Sequence, residues 1–384
     1  METNTVAAGI EEHFGEMEDP RIDRRKLHQL LDIMVIAICA AICGADTWED
    51  VETFGKAKKE WFEEFLELPN SIPSHDTFNR VFNRLDPEQF QECFLNWIRA
   101  ASQIIGGQVI AIDGKVLRRS HDQGIGKAAI DMVSAWATTN HLVLGQVKVG
   151  EKSNEITAIP QLLKALEISG CIITVDALGC QTEIAAEIIN QEADYILALK
   201  DNQGQLHEDV KLLFADLEES AYQAYTYDYD KTVNKGHGRL EIRECWTISD
   251  PEILRHLRGF DRWKKLATVS RIRSQRWLGE EKSCEDRYHI SSLTGAKRIL
   301  SGVRSHWGIE NQLHWCLDLA FDEDRCRVRK GNGAENFAIL RHIALNLLQQ
   351  EKTSKRSIQG KRLLAGWDED YLFKVLSGFL SLNL

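Results

Sequence analysis

The chain has 384 residues, with 58 acidic against 47 basic side chains, a formal net charge of −11, and 43% apolar content. That length allows two or three domains, and the composition is that of an ordinary soluble globular protein, which excludes a low-complexity chain. The acidic total argues against a polyanionic partner only until it is divided along the chain. Residues 251–384 are net basic and the rest net acidic, and a polyanion meets the local field.

Residues 1–20 are acidic and aperiodic, which predicts a flexible leader without a secretory signal and hence a cytoplasmic protein. Residues 21–104 are expected to form an all-helical N-terminal domain. Leu27, Leu30, Leu31, Met34 and Ile38 keep three/four spacing, as do Trp61, Phe62 and Phe65. The apolar run from Ile33 to Gly44 is about twelve residues, too short for a bilayer, so a buried helix is predicted and no membrane partner. Cys39 and Cys43, one turn apart in it, suit reduced core thiols. Pro69 and Pro73 break the series, and Ser74 can cap a helix that turns Phe78, Val81, Phe82 and Leu85 inward. Thr77, Asn79, Arg80, Asn83 and Arg84 face outward, so this segment resembles a helix-turn-helix DNA reader with Arg80 and Arg84 as contacts. A plain helical bundle with a hydrated face explains the same pattern.

After Gly106 and Gly107 the texture changes to β-branched and aromatic runs with turns at Asn140 and Gly150, predicting three antiparallel strands. A helix follows in "NEITAIPQLLKALEI", a strand in "CIITVDALG", a helix in "QTEIAAEIINQEA" and a strand in "DYILALK". The order βββαβαβ over 105–200 describes an α/β fold, a mixed sheet with helices on its faces. Residues 201–295 read as a β-rich insertion, 296–350 as returning core helices, and 351–384 as a basic-apolar tail.

Two strands end alike in this pattern, "VIAIDG" at Asp113 and "IITVDA" at Asp176. A lone strand-end Asp is ordinarily a turn former. The first and fourth strands of a βββαβαβ frame can be neighbours, however, and their tips would then bring two carboxylates together. At about 4 Å and an effective dielectric near 20 such charges repel by roughly 4 kcal/mol. A divalent cation offsets that repulsion, because Mg²⁺ takes a few oxygen ligands and keeps open water positions. Glu310, on the helix after the last strand, is the candidate third carboxylate. His306, Glu310, His314 and Asp318 follow at four-residue steps, so ordinary helix-surface polarity and a zinc site remain alternatives, although H-E-x-x-H is absent. No phosphate-binding loop, nucleophile elbow or dinucleotide fingerprint occurs.

The stretches "AIDGKVLRRS", "KSNEITAIPQLL", "TVDALGCQTEIA", "YILALKDNQ", "YHISSL", "HWGIENQLHWCLDLAFDED" and "RHIALNLL" resemble the landmarks of the H-repeat-associated, ISAs-type insertion-sequence transposases of the DDE superfamily. The likeness runs from about Asp23 to the C-terminal tail. It implies an RNase H-like core, a DDE triad of Asp113, Asp176 and Glu310 holding Mg²⁺ or Mn²⁺, and a β-rich insertion before the glutamate. It further implies DNA cleavage and strand transfer on double-stranded DNA, the terminal inverted repeats and the target, by a homodimer on paired ends. Lys115, Arg118 and Arg119 would hold phosphates near the metals, with Lys200, Asn202 and Gln203 as further DNA contacts. Trp307 and Trp315 could stack on bases or simply pack. A structure-specific nuclease and a domesticated or inactive DNA-binding relative are the competing functions.

Overall fold

The computed structural model describes residues 10–101, 106–121, 128–150, 153–236 and 238–377. The boundary expected at 104–105 and the end of the tail lie outside them. The apolar run near the N-terminus forms helix α1 (Leu30–Ile42), and it is buried over nearly its whole length. A helix apolar all round must lie in a core, and its partner is the equally buried C-terminal helix Gly333–Gln350. Helices α2 (Trp48–Ala57), α3 (His75–Phe82) and α4 (Pro87–Ala101) complete the N-terminal group. Their apolar residues share one continuous core with the sheet and the C-terminal helices. The expected helices are present, but they have no core of their own.

The expected flexible leader is corrected from residue 10 onward. Ile10, Phe14 and Met17 are buried, and Phe14 meets Phe90 and Trp97 of α4 edge-on at 5.9 and 5.6 Å. The tail, too, is docked through residue 377. Arg362, in the helix Ile358–Trp367, donates to the Ala41 carbonyl at 3.0 Å in the last turn of α1 and lies over Phe321 at 4.1 Å. A buried cation there complements the negative end of the α1 dipole.

The strands are β1 (Val109–Leu117), β2 (Ile130–Ala137), β3 (Leu142–Lys148), β4 (Ile172–Val175) and β5 (Asp194–Leu199), interleaved with helices α5 (Glu155–Ala165) and α6 (Thr182–Asn190). After helix α7 (Gly204–Glu219) come β6 (Asp228–Gly236), β7 (Arg239–Ile248), β8 (Thr268–Leu278) and β9 (Glu281–Ser291). All nine form one sheet in the order β3-β2-β1-β4-β5-β9-β8-β7-β6, with β1, β4 and β5 parallel to one another. The insertion therefore adds an antiparallel meander to the free edge of β5.

Helix α8 (Ala296–Gly308) crosses the face of this sheet from β6 and β7 to β4 and β1. It buries Ala296, Ile299 and Leu300 against Ile172, Ile196, Cys245 and Ile272, a second apolar cluster drawn from both halves of the sheet. Its first turn is fixed by the Ala296 amide donating to Asp228 Oδ2 at 2.8 Å. The inserted strands are thus a seat for the helix that leads to Glu310. A π-helical segment, Ile309–His314, and helix α9 (Trp315–Ala320) continue it, and α10 is Gly333–Gln350. Among the described residues no helix is long and apolar enough to cross a membrane.

Candidate active site

Strand β1 does not end at Asp113, as the sequence pattern suggested. It continues to Leu117, still paired with β2 through Lys115↔Met132 and Leu117↔Ile130. What ends is its parallel partner: the last β1–β4 pair is Ile112↔Val175. Asp113 and Asp176 are each the next residue, so the register sets the two carboxylates side by side where β1 outruns β4. Asp176 opens the loop to α6 and is held there by the Gly179 amide, which donates to its Oδ1 at 3.2 Å.

Asp113 is half-buried, and its acidity is pushed up to about 7. Desolvation is the largest cause, followed by the negative charges of Asp176, Glu310 and Glu155, against one favourable bond from the Gly114 amide at 3.0 Å. Glu310 is itself exposed, at the second position of the π segment. The other members of the expected stripe face the sheet. His306 shares a 3.0 Å hydrogen bond with Thr174 of β4, and His314 Nδ1 lies 3.6 Å from Asp113 Oδ2. Burial lowers His314 to about 4, so it is neutral at physiological pH. With His306 turned to Thr174, the zinc alternative is not assembled.

Glu155 is the site residue that spacing alone did not single out. It begins α5, and its carboxylate sits over Gly114: a Cβ there would meet Glu155 Oε1 at 2.0 Å. Burial and the charge of Asp176 push Glu155 upward as well. Its signal was present in "KSNEITAIPQLL", where a carboxylate opens a helix.

Lys115 departs from its expected role. Its ammonium is bound to Asp318 and, at 2.7 Å, to the buried Glu323, and its side chain is only 12% exposed. A phosphate would have to displace two carboxylates, so Lys115 ties β1 to α9 instead. Asn202 and Gln203 are likewise engaged within the protein, donating to the carbonyls of Ala177 at 2.5 Å and Cys180 at 3.0 Å. They brace the loop that begins with Asp176. Arg118, Arg119, Lys200, Arg80 and Arg84 are exposed. Trp307 lies under the Arg287 guanidinium at 4.7 Å, and Trp315 is 63% exposed.

Among the described residues, no three His, Cys, Asp or Glu side chains already converge at the spacing of a metal centre. The fit is one of donor chemistry and field. Asp113, Asp176, Glu310 and Glu155 offer hard oxygen donors, and none has a lysine or arginine partner among the described residues. Hard divalent cations with flexible oxygen shells suit such a set.

The sequence matches the family described as Transposase DDE domain over residues 105–347, and the family DDE_Tnp_1-associated over residues 11–98. It is 41% identical to the protein named "H repeat-associated putative transposase YhhI" of Escherichia coli (strain K12), over 96% of this chain and 97% of that one. It is 42% identical to the "Uncharacterized protein in dhlA 3'region" of Xanthobacter autotrophicus, over 73% of this chain and 93% of that one. A remoter likeness, with a TM-score of 0.42 and 10% identity, joins 97% of this chain to 75% of piggyBac transposase in a synaptic complex with hairpin DNA.

Proposed function

This chain belongs to the DDE transposase family, among the H-repeat-associated transposases, and from that premise we propose that it cuts and joins DNA at insertion-sequence ends. Asp113, Asp176 and Glu310 would hold Mg²⁺ or Mn²⁺ in an RNase H-like core. The observation that carries this reading is the register: the Ile112↔Val175 pair sets both aspartates at one point, and Glu310's charge acts on Asp113. A bound divalent cation supplies electrophilic activation of the phosphodiester and a more acidic water.

The chain's own residues do the rest. Asp113 and Asp176, one residue beyond the last β1–β4 pair, orient a scissile phosphate against the end of β4. Glu310 approaches from the opposite helix. Water attacks phosphorus and the 3′-oxygen leaves as a hydroxyl. That hydroxyl then attacks a target phosphodiester and displaces another 3′-oxygen, so no protein nucleophile is required. Arg118, Arg119, Lys200, Arg80 and Arg84 are proposed as contacts to terminal inverted repeats and target DNA, with a homodimer bridging paired ends in the cytoplasm. Asn202 and Gln203 would act by holding the Asp176 loop.

The test is incubation with DNA carrying its own flanking sequence and Mg²⁺ or Mn²⁺, with nicks mapped to the nucleotide. Cuts at inverted-repeat ends are expected; cuts set by DNA structure alone would indicate a nuclease. Asp113→Asn should lower cleavage by about 10⁴-fold, as for members of a catalytic unit, while DNA binding persists. Retained cleavage by that variant would remove Asp113 from the site.

A further inference from the structure

The segment Arg325–Lys330, "RCRVRK", carries four cations in six residues, between α9 and α10, and none of the roles above uses it. Three sets of contacts fix where it lies. Arg329 Nε donates to the Arg119 carbonyl at 2.8 Å, joining the segment to the end of β1. The Asn332 amide donates to the Asn83 carbonyl at 3.1 Å and its side chain to Leu85 O at 3.1 Å, joining it to the end of α3. The buried Asn336 donates to Phe82 O at 2.7 Å and Leu85 O at 3.0 Å.

Gly331 makes the approach close. Its φ is +53°, and a Cβ there would come within 2.4 Å of the Asn83 carbonyl oxygen. Left-handed backbone in van der Waals contact with α3 admits only glycine without strain. The segment is therefore seated between two other basic surfaces, Arg118 and Arg119 on one side and Arg80 and Arg84 on the other.

Its charge is only partly neutralised. Arg118 pairs with Asp324 at 3.3 Å and Arg325 with Asp322 at 3.6 Å, both arginine side chains being more than three-quarters exposed. Arg327 and Lys330 have no ion pair among the described residues, and both are exposed. A cleft of about 690 Å³ runs beside them, between Arg327–Gly331, Asn79 of α3 and the residues from Asp46 to Glu49. Its acidic wall is softened where Arg362 reaches Asp46 at 3.5 Å. The α2 amides on that wall are already served by the Thr47–Asp50 capping box, so the positive lip consists of side chains.

We propose that Arg325–Lys330 is a phosphate-binding bridge for duplex DNA, forming one surface that runs from the end of β1 to α3. Mobile arginines and lysines along a rigid frame recognise the backbone rather than the bases. Because hydrogen bonds lock the bridge to both neighbours, DNA held on α3 has a set phase relative to the Asp113 strand. The inference rests on reading the chain as a DNA-cutting transposase, and its test separates the two.

Binding of a flanking-sequence duplex is measured against salt concentration in the Asp113→Asn background, where cutting does not interfere. Arg327→Ala with Lys330→Ala should make the slope of log affinity against log salt shallower by about 1.8, for two lost phosphate contacts at about 0.9 each. Exchanging the two cations, Arg327→Lys with Lys330→Arg, should restore the slope. Lys164→Ala with Lys374→Ala, an equal change of charge elsewhere, should leave it as it was. An unchanged slope in the alanine pair, or an equal change in the control pair, overturns the bridge while leaving the transposase reading intact. No DNA binding by the parent protein overturns the transposase reading itself.

Discussion

The two halves of the nine-stranded sheet handle charge in opposite ways. In the half made of β6 to β9, carboxylates and cations are matched closely. Glu218 receives Arg271 and Arg273 at 2.8 Å each, Arg273 also reaches Asp286 at 2.8 Å, and Lys231 meets Glu244 at 3.2 Å. In the half made of β1 to β5, four carboxylates meet at the tips of β1 and β4 with no lysine or arginine among them. The nearest lysine, Lys115, is bound to Asp318 and Glu323. A paired surface supports a fold, whereas a desolvated anionic cluster opposes it. The first half carries its cluster because a catalytic site needs ligands that are not already satisfied.

That contrast can be broken by mutation, and the largest effect on stability should come from Lys115→Met. It leaves Glu323 buried with only Arg341, 3.9 Å away, and removal of one partner of a buried pair costs about 3–5 kcal/mol. Urea denaturation would read it, and a loss below about 1 kcal/mol would mean that Glu323 finds another partner.

Asp113→Asn should act in the opposite direction on the metal-free protein. The Asp113 carboxyl holds its proton to about pH 7 when folded, against 3.8 as its ordinary value. The folded state then binds more protons than the unfolded one between those limits, so stability falls as pH rises from about 4 to about 7. Replacing the carboxylate should raise stability at pH 8 by on the order of 2 kcal/mol, with the gain gone below about pH 4. Melting curves with a chelator across that range would show it. A variant destabilised at pH 8 would contradict the repulsive cluster.

The smallest effect is expected in the other half. Lys231→Ala removes one half-exposed partner of Glu244 and should change stability by about 0.5 kcal/mol or less. A change several times larger would mean that the ion pairs of the insertion hold more than their exposure suggests.

Much of this contrast was legible in the sequence on one side and hidden on the other. Apolar runs ending in Asp113 and Asp176 could be recognised because β-strands of an α/β core are short and continuous in chemistry. Their adjacency followed from the order of elements. The partners of Lys115 could not be read, because they lie 203 and 208 residues away and arrive through helix packing. The same holds for the N-terminal helices. Their periodicity is plain, yet nothing local says that α1 packs on α10 and not within a bundle of its own. The insertion was recognisable as β-structure, but its attachment to β5 is a matter of edge pairing, in which Leu197↔Ile290 has no signature in either strand alone. Glu155 belongs to the same class, since its place at the site depends on Gly114 leaving room for it.

The π-helical segment Ile309–His314 has a consequence for the length of the chain. Wider turns accommodate one residue more than an α-helix would over the same rise. A deletion of any single residue in that segment would let the helix close as ordinary α and rotate everything after it by about 100°. His314 would leave Asp113, and Asp318 would leave Lys115. This short piece of largely solvent-facing helix should therefore accept many changes of side chain and no change in the number of residues.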